Sequence, residues 1–277
     1  MFIRLVVIMW IRDITDNYLN NLGEYCTYLN FLWKSDSAPI YIMDNHMAAA
    51  WCWMQECSSD EDYNFMHIDK HSDLKGCGHP ANIEFLKTNK AISLADYIQI
   101  TYTTYKEFQF FQWDNYIRAC HYLYPNWFNT NLFYYTQSHK EHHAEGWGYD
   151  PFPEQSMDAL YVRQGISQFI QNKETFSSTI FEERMREKKW IVNIDLDFFW
   201  DFDKTKVFDD QFIQDMGKRI SDAMNNIQVL TIALSPSCCN GWKNALECLK
   251  TFLFNPVLIE SCLEYLEEKQ LFPDGWH

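Results

Sequence analysis

Two short runs of aspartate and histidine follow apolar segments of this sequence, and their spacing would suit the binding of metal ions. The first run, Asp69-x-His71-x-Asp73, comes directly after the apolar segment 64–68, and the second, Asp195-x-Asp197, lies at the end of the apolar segment 190–196. Side chains of an extended chain alternate between two faces, so each run directs its charged groups to one face. Residues 192, 194 and 196 would then face the core from the other side of their strand.

The four carboxylates of these runs would be costly to bury together without compensating positive charge. Divalent cations would supply that charge, and a ligand set of carboxylates with some imidazole suits Mn²⁺, Fe²⁺ or Zn²⁺ better than metals that prefer thiolates. Aspartates that bridge two such ions would hold them close enough to activate a shared water.

His46 is a third candidate, because it follows another apolar segment, 40–43. The chain between His46 and Asp69 has room for one helix and a returning strand, so we expect His46 to lie beside the Asp69 strand end. The sequence therefore predicts six metal ligands: His46, Asp69, His71, Asp73, Asp195 and Asp197. We interpret His67, one strand repeat before Asp69, as an interior histidine rather than a ligand.

The elements that would position these residues alternate between strands and helices. Apolar runs predict strands at 3–10, 40–43, 64–68, 190–196 and 229–234. Helices are predicted at 47–56, 94–111, 181–188, 211–225, 242–252 and 256–269. Such alternation predicts an α/β fold, a three-layer sandwich with a mainly parallel central sheet, in which ligands bind at the carboxyl ends of the strands. No repeat or linker divides the chain, so a single domain over residues 1–277 is predicted.

Composition limits the partners of the chain. Its net charge of −15 argues against nucleic acid, because phosphates need a basic surface. An acidic cleft would attract molecules that carry Arg or Lys, although the acidity could serve only to keep an aromatic-rich protein soluble. Nine cysteines without a CxxC motif indicate a reduced, cytoplasmic protein. No segment has the length of a membrane span, and the oligomeric state is left open.

The order of the candidate ligands resembles that of the arginase/deacetylase-like superfamily. Its ureohydrolases hold a dimanganese centre with a His after one strand, a DxHxD after the next and a DxD after a later one. The stretches MDNHMAAAWCW, HIDKHSDL, NIDLDFF and IALSPSCCNGW also resemble the uncharacterised-protein family UPF0489. Some of its bacterial members, a cyanobacterial group that this chain resembles, are peptide arginases. They convert arginine residues of ribosomally made precursor peptides to ornithine, which is a post-translational modification.

The resemblance implies a binuclear centre of two Mn²⁺ ions and a role for each ligand. One ion would be held by His46, Asp69, Asp73 and Asp195, and the other by Asp69, His71, Asp195 and Asp197. Asp69 and Asp195 would thus bridge both ions. Asp73 would also be catalytic, as the acceptor of a hydrogen bond from the bridging hydroxide. That hydroxide would attack the guanidinium carbon of an arginine in the precursor peptide and release ornithine and urea.

The sequence departs from arginases at two places. Arginases have a glutamate for the guanidinium after the strand that corresponds to 229–234, whereas this chain reads Ser-Pro-Ser-Cys-Cys at 235–239. Either another acid serves, for which the candidates are Glu24, Asp44, Glu145 and Asp150, or neutral acceptors hold the guanidinium. For the catalytic histidine that transfers protons, His79 lies in the corresponding segment. Its rivals are His139, His142 and His143.

Two other functions stay open. A deacylase or amidohydrolase of the same fold would act on an acyl-lysine or a related amide, and it would normally hold one Zn²⁺. A non-catalytic peptide-binding module would use its metal ions only to brace the fold. The number of bound metal ions separates the first of these from the arginase hypothesis, and the activity of an Asp195→Ala variant separates the second.

Overall fold

A mainly parallel sheet forms the centre of the computed structural model, which describes residues 8–10, 29, 31–75, 92–101, 109–135, 159–163, 185, 189–201, 203–253 and 262. Its eight strands are β1 (Ile8–Trp10), β2 (Phe31–Lys34), β3 (Ile40–Met43), β4 (Asn64–Asp69), β5 (Asn131–Tyr135), β6 (Ala159–Arg163), β7 (Trp190–Asp195) and β8 (Ile227–Ala233). Their order is β1-β2-β3-β8-β7-β4-β5-β6. The six strands from β3 to β6 are parallel, and β2 and β1 continue the sheet as an antiparallel edge.

Helices cover both faces of this sheet. Among the described residues they are α1 (Ala49–Glu56), α2 (Leu94–Tyr97), α3 (Tyr116–Leu123), α4 (Asp210–Asp222) and α5 (Trp242–Phe252). Helices α1 to α3 pack on what we call the front face, whose core includes Trp53, Phe65, Tyr116 and Phe133. Helices α4 and α5 pack on the back face, whose core includes Ile68, Ile194, Met216 and Leu249. This arrangement is an α/β fold compatible with the predicted three-layer sandwich.

The alternation of side chains along β4 and β7 decides which residues reach the front face. Ile68 and Ile194 point into the core of the back face, so their neighbours Asp69 and Asp195 point to the front. The same alternation turns residues 192 and 196 to the back, as predicted. The acidic groups therefore leave the sheet on the side that α1 and α3 cover.

Helices α4 and α5 pack closely on the back face. Helix α4 begins after Asp209, whose carboxylate accepts a hydrogen bond from the Phe212 backbone N–H at 2.8 Å. Gly217 of α4 lies directly against the carbonyl of Phe252, so a Cβ at this position would overlap that oxygen. The glycine thus permits an approach of the two helices that any larger residue would prevent.

Several predicted elements are confirmed, and one is wrong. The strands at 40–43, 64–68, 190–196 and 229–234 and the helices at 47–56, 211–225 and 242–252 match described elements to within a few residues. The predicted helix 94–111 ends at Tyr97, and Thr101 forms an antiparallel bridge with Gln109. β-branched residues follow Tyr97 at 98, 100 and 101, which lowers helix propensity there.

Other predictions cannot be compared with the fold. The predicted helices 181–188 and 256–269 fall almost entirely outside the described residues. No helix among the described residues is long and apolar enough to cross a membrane.

Candidate metal centre

Four neighbouring strands, β3, β8, β7 and β4, end at the same edge of the sheet, and the predicted ligands follow three of them. Three groups of three described residues result, each with one potential ligand atom per residue and all such atoms within 4.8 Å of one another. The first group is His46, Asp69 and Asp195, the second is Asp69, His71 and Asp197, and the third is His67, Asp69 and Asp73. Asp69 belongs to all three groups.

The spacing of the two acidic runs has a local structural reason. Asp69 Oδ1 accepts a hydrogen bond from the backbone N–H of His71 at 2.6 Å, and Asp195 Oδ1 accepts one from the N–H of Asp197 at 2.9 Å. In both runs an aspartate thus closes a turn onto the residue two positions later, as aspartates commonly do after a strand. One oxygen of each carboxylate holds the turn, and the other, Oδ2, points into the site, where that of Asp195 also accepts a hydrogen bond from Ser235.

Two carboxylate oxygens in the site are buried without a hydrogen-bond partner among the described residues: Asp69 Oδ2 and Asp197 Oδ2. Asp69 Oδ2 lies 3.5 Å from Nδ1 of His46 and 3.5 Å from Nε2 of His67. Buried carboxylate oxygens need a compensating positive charge, and a divalent cation is the most economical source of it.

The distances between the potential ligand atoms fit bound cations. Two atoms that each lie about 2.1 Å from one ion cannot be more than about 4.2 Å apart. In the first group, His46 Nε2 lies 3.9 Å from Asp195 Oδ2. In the second, His71 Nδ1 lies 3.2 Å from Asp197 Oδ2 and 3.4 Å from Asp69 Oδ1. These buried His and Asp residues could therefore hold metal ions.

His46 reaches the site from a strand that is not adjacent to β4. It begins a 3₁₀ turn, His46–Ala48, whose first free N–H, that of Met47, is capped at 2.9 Å by the side chain of Asn45. Strands β8 and β7 lie between β3 and β4, yet the ring of His46 approaches Asp69 and Asp195. The turn after β3 thus carries His46 across the ends of the intervening strands.

Asp73 lies against His46 and adopts an unusual backbone conformation. Its Oδ2 is 2.9 Å from His46 Nδ1 and accepts a hydrogen bond from the Tyr116 hydroxyl at 3.0 Å. Its φ of 51° is in the left-handed region, which aspartate tolerates better than most residues. Asp73 also forms a third possible ligand group, with His67 and Asp69.

The protein groups alone leave the site with excess negative charge. Burial, together with the charges of Asp73 and Asp197, raises the pKa of Asp69 to about 8. Burial likewise raises the pKa of Asp73 to about 7, and burial with the charges of Asp197 and Asp69 holds the pKa of Asp195 well above its usual range. Part of each increase in the pKa of Asp69 and Asp195 comes from repulsion between the carboxylates, and a cation bound among them would relieve this repulsion.

His71 and Asp197 form an ion pair in which each residue shifts the pKa of the other. Burial alone would lower the pKa of His71, but Asp197 and Asp69 raise it well above its usual value. Burial alone would raise the pKa of Asp197, but His71 and the neighbouring Lys70 lower it. The Lys70 backbone N–H also donates to Asp197 Oδ1 at 3.3 Å, which joins the turn after β4 to the turn after β7.

Sequence reasoning missed two residues that contact the predicted ligands. The hydroxyl of Ser235, after β8, donates to Asp195 Oδ2 at 2.5 Å, and Tyr116 of α3 lies 2.8 Å from His46 Nδ1 through its hydroxyl. The strand-end position of Ser235 was a usable signal, because β8 ends at the same edge as β7. The sequence around Tyr116 carries no such signal.

The other sequence candidates fall into two sets. Asp44 is fully buried and accepts a hydrogen bond from the Phe31 N–H at 2.9 Å, so it joins β2 to the end of β3 and is poorly placed to meet a substrate. The remaining candidates lie outside the described residues: Glu24, His79, His139, His142, His143, Glu145 and Asp150.

A scan against protein-family models finds no match for this chain, and searches of curated proteins and of solved structures find none either. Its function is therefore inferred from the site and from the sequence resemblance.

Proposed function

We propose that this chain is an arginase-like metal-dependent hydrolase that binds two Mn²⁺ ions and converts arginine residues of a ribosomally made precursor peptide to ornithine and urea. The observation that carries the proposal is that Asp69 belongs to more than one group of potential ligands. One carboxylate shared by two groups would place two cations side by side, which is the arrangement that two-metal hydrolases use. The arginase/deacetylase-like fold is part of this proposal.

Two divalent cations, when bound, supply a water of lowered pKa that attacks as hydroxide near neutral pH. In the reaction, the water oxygen adds to the guanidinium carbon, and the bond from that carbon to the side-chain nitrogen breaks. Both protons of the water end on this nitrogen, which becomes the protonated amine of ornithine, and the rest leaves as urea. Asp73 is the proposed acceptor of a hydrogen bond from the water, and the contacts of its Oδ2 with Tyr116 and His46 keep it in place.

The charge of the molecule supports a cationic substrate. The net charge is −15, and the carboxylates at the strand ends would attract a guanidinium group. Residues 235–239 contain no carboxylate, and Asp44 is held in the interior. The group that pairs with the guanidinium is then a neutral acceptor or one of the remaining candidates, Glu24, Glu145 and Asp150.

Mass spectrometry of a peptide tests this proposal. The protein is incubated with Mn²⁺ and an arginine-containing precursor peptide, and we expect each modified arginine to lose the mass of cyanamide, the net result of adding water and releasing urea. The Asp195→Ala variant should be inactive, and Asp203→Asn, at an exposed position, should be active. An unchanged peptide, with two Mn²⁺ bound to folded protein, would contradict the proposal.

The same preparation separates the two alternatives. One tightly bound Zn²⁺, with release of the acyl group from an acyl-lysine peptide, would identify a deacylase. Retention of every assayed activity by folded Asp195→Ala protein would identify a module in which metal ions only brace the fold.

A further inference from the structure

Three buried polar residues lie in a row across the sheet directly below the candidate ligands. His67 of β4 is opposite Asn193 of β7, and Asn193 is opposite Thr231 of β8. All three are completely buried. They lie one strand repeat before residues 69, 195 and 233 and so share the front face with Asp69 and Asp195. We call these three residues the polar row.

Hydrogen bonds connect the polar row to the helices that cover it. Trp53 of α1 donates its indole N–H to the Thr231 hydroxyl at 3.1 Å, and this hydroxyl donates to Asn193 Oδ1 at 2.7 Å. Because an indole N–H can only donate, the Thr231 hydroxyl oxygen accepts the hydrogen bond from Trp53, and its O–H donates to Asn193. The direction of the hydrogen bonds is thus set from the α1 end.

The amide of Asn193 continues the chain in two directions. Its Nδ2 lies 2.9 Å from His67 Nδ1 and 2.9 Å from the Tyr116 hydroxyl, so each of its two protons has an acceptor. His67 Nδ1 is then an acceptor, and Nε2 carries the proton that points to the His71 carbonyl at 3.3 Å. Both ring nitrogens of His67 have a partner in this arrangement, and His67 would have to give up one of them to act as a ligand in the third group.

The Tyr116 hydroxyl is the point where this chain meets the metal centre. Since it accepts from Asn193, its single proton is directed at His46 Nδ1 or Asp73 Oδ2, at 2.8 and 3.0 Å. These two atoms belong to turns after different strands and are only 2.9 Å apart. One hydroxyl therefore lies within hydrogen-bond distance of two candidate ligands that no backbone hydrogen bond joins in the described residues.

We propose that Tyr116 and Asn193 are positioning residues of the metal centre, which hold His46 and Asp73 in the geometry that receives a cation. The relevance to catalysis rests on the proposed function, but the positioning itself is a property of the protein alone. A buried polar network is costly unless every member is paired. The chain of bonds from Trp53 to Asp73 leaves each of its side-chain donors paired, as a network with this role requires.

The test compares Mn²⁺ binding by three variants that each remove one hydroxyl group. Tyr116→Phe removes the contact with His46 and Asp73, and Thr231→Val acts one step further away. Tyr63→Phe is the matched control, since Tyr63 is also buried and its hydroxyl contacts only Ser58 and Glu61 among the described residues. Removing a partner that orients a metal ligand weakens metal binding by roughly 10–100-fold. By calorimetry we expect Tyr116→Phe to weaken Mn²⁺ binding by this factor, Thr231→Val by less, and Tyr63→Phe not at all.

Two results would overturn the inference. In the first, Tyr116→Phe lowers the stability of the metal-free protein but binds Mn²⁺ as tightly as Tyr63→Phe does, which would reduce Tyr116 to a packing role. The second concerns metal-free protein and a double-mutant cycle of Tyr116→Phe with Asp73→Asn. If the two residues are coupled, the effect of the double variant on the unfolding equilibrium constant should differ by about threefold or more from the product of the two single effects. A double effect equal to that product would contradict positioning. Binding of Mn²⁺ with an unchanged peptide would count against the proposed function alone, whereas a folded wild-type protein that binds no Mn²⁺ would contradict both.

Discussion

Without metal ions, the folded protein should lose stability as the pH rises from about 6.5 to about 8. The pKa of Asp69 is 3.8 in an unperturbed chain and about 8 in the folded protein. Over this range the folded state keeps a proton that the unfolded chain has already released. A folded state that binds more protons than the unfolded state is weakened as the pH rises. His71 acts in the same direction, because its pKa is raised well above 6.5.

The size of the effect follows from the number of protons retained. Each proton held by the folded state alone changes the free energy of unfolding by about 1.4 kcal/mol per pH unit. Asp69 alone therefore gives a loss of about 2 kcal/mol between about pH 6.5 and 8, and His71 adds to it. The pKa of His67 is lowered well below 6.5. Below about pH 6.5 the unfolded chain therefore binds a proton at His67 that the folded protein does not, and this residue makes stability rise with pH. For this reason the range begins at about pH 6.5. About 2 kcal/mol is a large share of a typical total of about 5–15 kcal/mol.

Chemical unfolding at several pH values, with EDTA or with Mn²⁺, measures this dependence. Bound cations require the carboxylates to be ionised, so the stabilisation by Mn²⁺ should increase with pH. Asp69→Asn removes one titrating group and should reduce the slope in EDTA, whereas Asp203→Asn, at an exposed position, should keep it. The reasoning would be refuted by a metal-free stability that is flat or rises over this range, or by an Asp69→Asn variant with the wild-type slope.

Three further outcomes follow from individual contacts. Asp69→Asn should remove both metal ions and Asp197→Asn only one, because Asp69 belongs to one group of potential ligands with His46 and Asp195 and to another with His71 and Asp197, whereas Asp197 belongs to one group; metal analysis of the folded variants checks this, and equal losses would contradict a shared ligand. Gly217→Ala should destabilise the protein by about 1–3 kcal/mol through overlap with the Phe252 carbonyl, whereas Gln214→Ala, exposed on the same helix, should change the free energy of unfolding by less than about 0.5 kcal/mol. Asp209→Ala should cost about 1 kcal/mol in denaturant unfolding, because it removes the N-terminal cap of α4.

The sequence predicted the strands that carry the site because their patterns are unambiguous. In the last four residues of β4 and β7, apolar residues on one face alternate with polar ones on the other, and this period fixed which face the aspartates occupy. Strand β5 (Asn131–Tyr135) was not predicted, since its aromatic residues suit the packing of a helix as well as that of a strand. The antiparallel edge formed by β1 and β2 depends on pairing between distant segments, which local patterns do not encode.

The candidate ligands could be found from sequence because they lie at the ends of three apolar strands or directly after them. The turns after β4 and β7 are closed by Asp69 and Asp195 themselves, so the spacing of each run reflects a local hydrogen bond. Tyr116 could not be found in this way. It is 43 residues from Asp73 and meets it only because α3 packs over the front face.

The same alternation that exposes the ligands also builds their support. Because side chains repeat every two residues along a strand, placing Asp69 and Asp195 on the front face necessarily places His67 and Asn193 there, one repeat deeper. Strand β8 has a different part in this arrangement. Its Thr231 completes the polar row, but the residue one repeat further is Ala233, which lies between Met43 and Asp195 in the sheet.

A methyl group at position 233 places no bulk between the turn after β3 and the carboxylates of β7 and β4. His46 reaches across this position: its Nε2 lies 3.9 Å from Asp195 Oδ2, and its Nδ1 lies 3.5 Å from Asp69 Oδ2. The hydroxyl of Ser235, just beyond β8, then donates to Asp195 from the same side. Strand β8 therefore contributes a small residue, Ala233, and the hydrogen-bond donor Ser235, where β4 and β7 contribute carboxylates. A larger acidic side chain at position 233 would occupy the space through which His46 reaches Asp195 and Asp69.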